Sequence, residues 1–190
     1  MPHVVGLLLA AGSGERFGGP KALARTGAEP WVVTAARVLG SGGCDPVVVV
    51  VGAAADEVRA LLVAEDVRVV EAAGWRSGLG ASLRAGLEAV TEPEADAVLV
   101  HLVDLPDVGP DVVRRIVAQA GPDVLARATY AGRPGHPVLL GREHLTGVTD
   151  SLAGDRGAQA YLADREVTHI DCSDLANGRD VDEPGPMLGR

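Results

Sequence analysis

The chain has 190 residues, enough for one domain that buries about 70% of its unfolded surface. Its hydrophobic fraction of 47% and charged fraction of 23% are ordinary for a globular protein, and its formal net charge is −9. No lysine- or arginine-rich run is present, which argues against nucleic acid or an anionic membrane as a partner. A small anionic ligand is still compatible with this charge, because two local cations or a magnesium ion can reverse the field inside one cleft.

The two cysteines, Cys44 and Cys172, lie far apart and outside any CxxC or zinc-binding spacing. We expect two reduced thiols, with a disulfide between them as the alternative. The N-terminus lacks the positively charged leading region of a signal peptide, and no apolar run approaches the ~20 residues that span a bilayer. These features predict a cytoplasmic protein.

Valine-rich apolar runs recur in the first part of the chain, each followed by a loop and a helical pattern. Continuous apolar runs, rather than alternating ones, indicate strands that are covered on both faces, as in a parallel sheet. Pro110 suits the first position of the last of these helices, and Gly121 suits its end. The alternation predicts a three-layer α/β fold. The predicted strands are 4–10, 47–51, 67–71 and 97–103, and the predicted helices are 31–40, 56–64, 80–90 and 110–120.

After residue 121 the pattern changes to shorter, more polar strands separated by turns. We expect this half to add one or two antiparallel strands beside the parallel core, and we expect the segment 154–163 to be a glycine loop that enters a short helix. No repeat or long linker divides the chain, so residues 1–190 are predicted to form a single domain with an irregular end at 183–190. The predicted polar strands are VLARATY, GRPGHPVLL and VTHIDC.

The segment AAGSGERFGGPK (10–21) follows the first predicted strand, the position where open α/β sheets bind their ligands. It interleaves four glycines with Arg16 and Lys21, which suits phosphate. The dinucleotide fingerprint GxGxxG fails, because Phe17 stands at the third glycine position and no acidic residue ends the second strand about 20 residues on. The Walker A motif fails too, because Lys21 lacks the preceding glycine and the following hydroxyl residue.

The arrangement AAG-x-G-x-R-x-G-x-x-K strongly resembles the signature LAxGxSxRxGxxK of the MobA-like nucleotidyltransferases. Further segments resemble the same family in the same order, so the resemblance covers nearly the whole chain. The GHP and DVDEP elements are most similar to the molybdenum cofactor cytidylyltransferases and their uncharacterised relatives. These segments are SGLGASLRAGL (77–87), VDLPDV (103–108), GRPGHPVLL (132–140), GDRGAQAYL (154–162) and DVDEP (180–184).

The resemblance implies a Rossmann-like nucleotidyltransferase fold and a Mg²⁺-dependent enzyme. The implied reaction transfers CMP from CTP to the phosphate of molybdopterin or the molybdenum cofactor and releases pyrophosphate. An AAG opening is similar to that of cytidine-using members, whereas an AGG opening is typical of guanosine-using ones. The implied partners are a nucleoside triphosphate, a phosphorylated small-molecule acceptor and a molybdoenzyme.

Several alternatives stay open at this point. One alternative within the same enzyme class uses GTP as the donor. Another uses a different phosphorylated acceptor, such as a sugar or polyol phosphate. A different class is a non-catalytic, nucleotide-binding accessory protein for a molybdoenzyme. An NAD-binding oxidoreductase domain is disfavoured by Phe17 and by the missing ribose-binding acid, and measurable NADH binding would revive it.

Nucleotidyl transfer mainly requires that the reacting groups are positioned and that the charge of the phosphates is neutralised. Arg16 and Lys21 are predicted to be catalytic residues that bind the triphosphate, with Lys21 also stabilising charge in the transition state. Asp104 stands directly after an apolar strand, where a Mg²⁺ ligand and catalytic residue is expected. The resemblance implies that Asp182 supplies the second metal-binding carboxylate. Asp180 is the alternative, and we expect only one of the two to face inward along the extended segment.

The remaining predicted site residues fall into a nucleotide-binding group and an acceptor-binding group. The beginning of the third helix suits contacts to base, ribose or anion through exposed N–H groups, although Ser82 is equally compatible with an ordinary helical role. The acceptor-binding residues have structural alternatives as well, as an ordered turn or a salt-bridged loop. The nucleotide-binding group is Leu9, Ala10, Ala11, Gly12, Gly14, Arg16, Lys21, Ser77, Gly80 and Ser82, and the acceptor-binding group is His136, Asp155 and Arg156.

Three further residues are predicted to belong to the core rather than to the site. His101 lies inside an apolar strand, so we expect a buried residue with satisfied hydrogen bonds. Trp31 and Trp75 are expected to be packing residues, although Trp75 borders the predicted site.

Overall fold

The computed structural model describes residues 2–182, so the predicted irregular end at 183–190 lies outside the described residues. Strands and helices alternate along this range, with four short 3₁₀ turns between them. The strands are β1 Val4–Ala10, β2 Arg25–Thr26, β3 Glu29–Pro30, β4 Val47–Val51, β5 Arg68–Glu71, β6 Ala97–Leu102, β7 Leu125–Tyr130, β8 Arg133–Gly141 and β9 Thr168–Asp171. The helices are α1 Trp31–Ser41, α2 Ala55–Leu62, α3 Leu79–Glu88, α4 Pro110–Val117, α5 Leu145–Ser151 and α6 Gln159–Ala163.

Seven of the strands form one sheet in the order β5-β4-β1-β6-β8-β7-β9. Strand β1 pairs in parallel with both β4 and β6, whereas β8 runs antiparallel to its neighbours β6 and β7. The chain therefore builds outwards from β1 to β5 and then returns to the other side of β1 with β6. Loops after β1 and β6 diverge at this reversal, which is where open α/β sheets form a ligand cleft.

Each strand of the central sheet contributes alternate side chains to two separate cores. Along β1, Leu8 and Ala10 join a cluster with residues of α1, α2 and α4, whereas Leu7 and Leu9 join a cluster with residues of α3, α5 and α6. Both faces are thus covered by helices, which explains the continuous apolar runs. The predicted three-layer α/β fold, with an antiparallel addition in the C-terminal half, is confirmed.

The predicted strands and helices agree with the structure to within about two residues, with one larger difference. Helix α4 begins at Pro110 as predicted but ends at Val117, because the next turn is drawn tight by bonds from Gln119 and Ala120 to the carbonyls three residues earlier. The short hairpin of β2 and β3 and the helix α5 were not predicted. Within residues 2–182, no helix combines the length and apolarity needed to cross a membrane. Cys44 and Cys172 are buried free thiols.

Candidate active site

A cleft of about 840 Å³ opens at the carboxyl ends of β1 and β6, at the reversal point of the sheet. It is walled by the loop after β1, by the start of α3, by the turn after β6 and by the last described residues of the chain. Ten of the predicted site residues line it. These are Leu9, Ala11, Gly12, Gly14, Arg16, Lys21, Ser82, Asp104, Asp155 and Asp182.

The loop after β1 presents a row of backbone donors to the cleft. Gly14 has a φ of +60°, and a Cβ there would collide with the carbonyl oxygen of Gly19. Its own carbonyl accepts bonds of 2.9 and 3.1 Å from the N–H groups of Gly18 and Gly19, which closes the loop. Within residues 2–182, the backbone N–H groups of residues 12–17 donate no hydrogen bond to another residue. These donors are therefore available for an anion.

A second set of backbone donors comes from the start of α3. Gly78 precedes this helix with a φ of 107°, and no side chain caps the helix within the described residues. Gly78, Leu79 and the buried Ser82 line the cleft from this side. The helix N-terminus thus adds a positive dipole end and uncapped N–H groups to the cleft that the glycine loop also lines.

Trp75 and Arg76 complete this wall, and the sequence analysis did not assign either to the site. Both line the cleft, and the Arg76 guanidinium lies 4.4 Å from the centre of the Trp75 ring. The ring packs on Gly52, where a Cβ would come within 2.6 Å of it. The Gly-Trp-Arg-Ser-Gly context was the available signal, because it places an aromatic and a cationic residue just before a helix N-terminus.

Three carboxylates meet at the mouth of the cleft. One ligand oxygen from each of Asp104, Asp180 and Asp182 lies within 4.8 Å of the other two. The expectation that only one of Asp180 and Asp182 faces inward is wrong, since residues two apart in an extended segment point to the same side. The intervening Val181 points the other way, packs against the core and donates its N–H to the Asp104 carbonyl at 3.0 Å.

Lys21 connects two of these carboxylates. Its Nζ lies 2.8 Å from Asp104 Oδ2 and 2.9 Å from Asp182 Oδ1. Burial alone would lower the pKa of Lys21, but the hydrogen bonds to Asp104 and Asp182 outweigh it and raise that pKa. The hydrogen bond from Lys21 likewise lowers the pKa of Asp182. At neutral pH Lys21 is therefore a charged ammonium and Asp182 an ionised carboxylate.

Asp104 also carries an unpaired acceptor. Its Oδ2 accepts from Lys21, but its Oδ1 is buried without a hydrogen-bond partner among the described residues. An orphaned carboxylate oxygen in a buried position is costly unless a ligand satisfies it. Arg16, by contrast, is an exposed cation at the edge of the cleft and forms no ion pair within residues 2–182. Both groups are free to meet an incoming ligand.

The predicted acceptor-binding residues divide between two cavities. Asp155 lines the main cleft, whereas His136 and Arg156 line a small neighbouring cavity of about 50 Å³. This cavity shares Leu9 and Leu79 with the cleft, and most of its other lining residues are apolar. Arg127 also lines it and donates to the Gly135 carbonyl, a contact that no local sequence signal indicated. Burial, with a smaller contribution from Arg127, lowers the pKa of His136 to about 4.

Three residues predicted to bind nucleotide do not reach the cleft. Ala10 points to the opposite core because strand side chains alternate, and Ser77 is exposed in the 3₁₀ turn before α3. Gly80 is buried against the carbonyl of Gly154, where a Cβ would approach to 2.9 Å. Its role in the structure is close packing, which brings the 154–156 turn beside α3.

Of the predictions for core residues, the one for Trp31 agrees with the structure and the one for His101 does not. Trp31 is buried and packs at 5.5 Å from the ring of Phe17, as expected. The expectation of satisfied hydrogen bonds at His101 is wrong, because this buried ring has no partner at Nδ1 within residues 2–182. Burial, with a contribution from His136, lowers the pKa of His101 to about 3, so its ring is neutral.

The strand order and the cleft at its reversal point define a Rossmann-like α/β protein. The family described as MobA-like NTP transferase domain matches residues 6–170, and the chain belongs to this family. The predicted family membership is thereby confirmed.

Several known proteins are similar to this chain over most of its length. Nicotine blue oxidoreductase of Paenarthrobacter nicotinovorans is 38% identical over 192 residues, which cover 96% of this chain and 93% of that protein. The structure of Rv0371c from Mycobacterium tuberculosis H37Rv aligns with a TM-score of 0.80 and 29% identity, over 96% of this chain and 94% of that one. A structure of Rv0371c in complex with manganese aligns with a TM-score of 0.73 and 28% identity, over 90% and 88% of the two chains.

Proposed function

We propose that this protein is a divalent-cation-dependent nucleotidyltransferase that transfers CMP from CTP to a phosphorylated small-molecule acceptor. An acceptor oxygen attacks the α-phosphorus, the bond between the α-phosphorus and the bridging oxygen breaks, and pyrophosphate leaves with the electron pair. The observation that carries the proposal is one cleft that combines open backbone donors with a cluster of three carboxylates and a lysine. The proposal treats residues 1–190 as one nucleotidyltransferase domain.

The phosphates are assigned to the glycine loop. Its open N–H groups at residues 12–17 and the exposed cation of Arg16 supply neutral and charged donors in one place. Lys21 lies at the junction between this loop and the carboxylates, so its ammonium can contact both a phosphate oxygen and Asp104. Such preorganised donors stabilise the charge that develops in the transition state.

The carboxylates fit a divalent cation. Mg²⁺ and Mn²⁺ prefer oxygen ligands, and Asp104 offers a buried oxygen without another partner, with Asp180 and Asp182 beside it. When bound there, the ion would neutralise phosphate charge and orient the reacting groups. The similarity to Rv0371c, for which a crystal structure in complex with manganese is known, supports a divalent cation as a ligand of this chain. We propose Mg²⁺ as the ion used in the reaction.

The acceptor is assigned to the small cavity that adjoins the cleft at Leu9 and Leu79. This cavity places His136, Arg127 and Arg156 beside apolar side chains, and Asp155 lines the neighbouring cleft. Cationic guanidinium groups suit a phosphorylated acceptor, and the neutral ring of His136 can accept or donate a hydrogen bond. These are the residues that the sequence analysis predicted for the acceptor, together with Arg127.

We propose the donor and the acceptor on the basis of sequence resemblance alone. The AAG opening favours CTP over GTP, and the GHP and DVDEP elements favour molybdopterin or the molybdenum cofactor as acceptor, with a molybdoenzyme downstream. Other phosphorylated acceptors, such as sugar or polyol phosphates, and GTP as donor are the alternatives within the same chemistry. A non-catalytic accessory protein would use the same cleft to hold a nucleotide without releasing pyrophosphate.

A second candidate function is an oxidoreductase, favoured by the 38% identity to nicotine blue oxidoreductase over 96% of the chain. In that case the glycine loop would hold the pyrophosphate of a nicotinamide dinucleotide, and a hydride would pass from the cofactor to a conjugated acceptor, with a proton from solvent. Such a reaction requires no metal at Asp104. The sequence disfavours it, since Phe17 replaces the third fingerprint glycine and no ribose-binding acid ends β4.

One assay separates these functions. The protein is incubated with CTP or GTP, Mg²⁺ and a panel of acceptors, and pyrophosphate release is measured. In parallel, NADH and NADPH are supplied with a redox dye, and cofactor oxidation is followed. Pyrophosphate release that requires Mg²⁺ and is lost in Asp104→Asn supports nucleotidyl transfer. Metal-independent cofactor oxidation that survives Asp104→Asn would instead establish the oxidoreductase.

A further inference from the structure

The last described residues, 172–182, carry two of the three carboxylates but no regular secondary structure. We call this segment the C-terminal strap. Its first part is held by the N–H of Cys172 on the Thr129 carbonyl, by an ion pair between Arg115 and Asp174, and by Ser173, which accepts from the N–H of Ala131. These contacts lie far along the strap from Asp180 and Asp182, so something else must fix its second part.

We infer that Asp107 is a positioning residue that fixes the strap and thereby places Asp180 and Asp182 beside Asp104. The inference rests on the proposed function, since it treats these three carboxylates as a cation site. Asp107 Oδ2 accepts from the backbone N–H groups of Asn177, at 2.7 Å, and Gly178, at 3.1 Å. A carboxylate that accepts two backbone N–H groups forms charge-assisted bonds, which are stronger than neutral ones.

Asp107 lies three residues after Asp104. Asp104 stands directly before the turn Leu105–Val108, which is closed by a bond of 3.1 Å from the N–H of Val108 to the Leu105 carbonyl. One short segment after β6 therefore presents Asp104 to the cleft and holds the strap through Asp107. Because only two residues separate Asp104 from Asp107, the relative position of the three carboxylates depends on few intervening bonds.

Packing against Tyr130 fixes the position of the strap at Gly178, next to the Asp107 contacts. Gly178 has a φ of +61°, and a Cβ there would collide with the Tyr130 ring. The Tyr130 hydroxyl donates to the His136 carbonyl at 2.7 Å, which anchors the ring. Two residues after the Asp107 contacts, the strap reaches Asp180, and Val181 then docks on the Asp104 carbonyl. Asp107 and Tyr130 thus define where the strap turns towards the cleft.

Asp107 touches neither the cleft nor the carboxylate cluster. Its second oxygen, Oδ1, is buried without a hydrogen-bond partner among the described residues. An asparagine at this position would keep one acceptor for the two N–H groups but lose the charge, whereas an alanine would release both of them. Charge and geometry at this position are therefore separable by substitution.

The test compares Mn²⁺ binding to the full chain, by isothermal titration or electron paramagnetic resonance, in the absence of nucleotide. Asp107→Ala is expected to weaken Mn²⁺ binding by about 10-fold or more, as outer-shell substitutions do, and Asp107→Asn is expected to weaken it less. Gly178→Ala changes no charge and is expected to weaken binding similarly by displacing the strap. It also keeps the test decisive if Asp107→Ala fails to fold.

The matched control is Asp96→Ala. Asp96 also accepts a backbone N–H, from His3 at 2.9 Å, but at the opposite end of β6. Its removal is expected to leave Mn²⁺ affinity unchanged. In the metal-free protein, amide hydrogen exchange at Asn177 and Gly178 is expected to accelerate in Asp107→Ala and not in the control.

The outcomes separate the inference from the proposed function. If the wild-type protein binds no Mn²⁺, the cation site is wrong, and the inference is overturned with it. If the wild type binds Mn²⁺ and both Asp107→Ala and Gly178→Ala bind it equally well, the inference alone is overturned. Weaker binding in both variants, with the control unaffected, is the result expected.

Discussion

Replacement of Lys21 by methionine tests how the carboxylate cluster is neutralised. Methionine keeps the length and apolar stem of the side chain and removes only the ammonium group. In the wild type, this ammonium bonds Asp104 at 2.8 Å and Asp182 at 2.9 Å, and these side chains are 18% and 48% exposed. The substitution therefore leaves three carboxylates close together without a counter-charge.

The expected loss of stability follows from these exposures. A hydrogen bond between charged groups contributes about 1.5–3 kcal/mol when it is shielded from water, as at Asp104. The bond to the half-exposed Asp182 contributes about 0–1 kcal/mol. Together they predict that Lys21→Met lowers the free energy of unfolding by about 1.5–4 kcal/mol in the absence of metal. The matched control is Arg59→Met, which also removes a cation with two carboxylate partners, Asp56 and Glu71, but on the exposed surface.

Urea denaturation at neutral pH, with and without Mg²⁺, measures the loss of stability in Lys21→Met and the stabilisation of each protein by the ion. A ligand that binds only the folded state stabilises it by about 2.7 kcal/mol at a hundredfold excess over Kd. Mg²⁺ should stabilise Lys21→Met more than the wild type. In the wild type the ion competes with the Lys21 ammonium for the carboxylates, whereas in the variant it meets carboxylates that have no counter-charge. If Lys21→Met is as stable as the wild type, or if Mg²⁺ stabilises both proteins equally, the proposed electrostatics of the cluster are refuted.

The difference in the free energy of unfolding between the wild type and Lys21→Met is also expected to depend on pH. The raised pKa of Lys21 means that its contribution is present below its ordinary pKa of 10.5 and is lost as the pH rises beyond that value. The lowered pKa of Asp182 means that its contribution is present above its ordinary pKa of 3.8 and is lost as the pH falls below it. The difference in stability between wild type and Lys21→Met should therefore be constant near neutrality and shrink towards both extremes. Denaturation measured from about pH 2.8 to about pH 11.5, one unit beyond each of these values, checks this.

Three further predictions concern other parts of the site. Asp104→Asn should abolish the Mg²⁺-dependent part of CTP binding in a calorimetric titration, and unchanged metal dependence would contradict the metal assignment. Gly14→Ala should destabilise the fold by about 1–3 kcal/mol, because of the positive φ and the collision with Gly19, and should weaken CTP binding, whereas Gly18→Ala, whose Cβ meets open space, should cost less. The lowered pKa of His136 predicts that the free energy of unfolding falls as the pH drops from 6.5 towards 4, and His136→Gln should reduce that fall in an acid titration.

Local sequence patterns predicted most of the sheet because the information lies within each segment. The run Val47–Val51 reads as a doubly covered strand without knowledge of its neighbours, and it is one. Helix α5 (Leu145–Ser151) escaped prediction, since its short sequence LTGVTDS carries a glycine and two threonines, which are poor helix formers. Its place is set by packing on α3 and α6 rather than by local preference.

The site was predictable only where one segment carries its chemistry. The glycine loop with Arg16 and Lys21 shows its function in its spacing, and the structure brings it together with Asp104 and Asp182. The packing role of Gly80 was not predictable, because the contact that requires a glycine there comes from Gly154, which is remote in sequence. Arg127 enters its cavity from β7, beside a strand that runs in the opposite direction, so only the tertiary structure reveals it.

Metal-dependent nucleotide binding in the cleft is tested most directly by a thermal-shift titration with CTP, GTP and NADH, each with and without Mg²⁺, on the wild type and on Asp104→Asn. We expect a Mg²⁺-dependent shift with CTP in the wild type and its loss in Asp104→Asn. A shift with GTP alone would preserve the chemistry and change the base. A shift with NADH that ignores both Mg²⁺ and the substitution, with none from either triphosphate, would contradict the nucleotidyltransferase account.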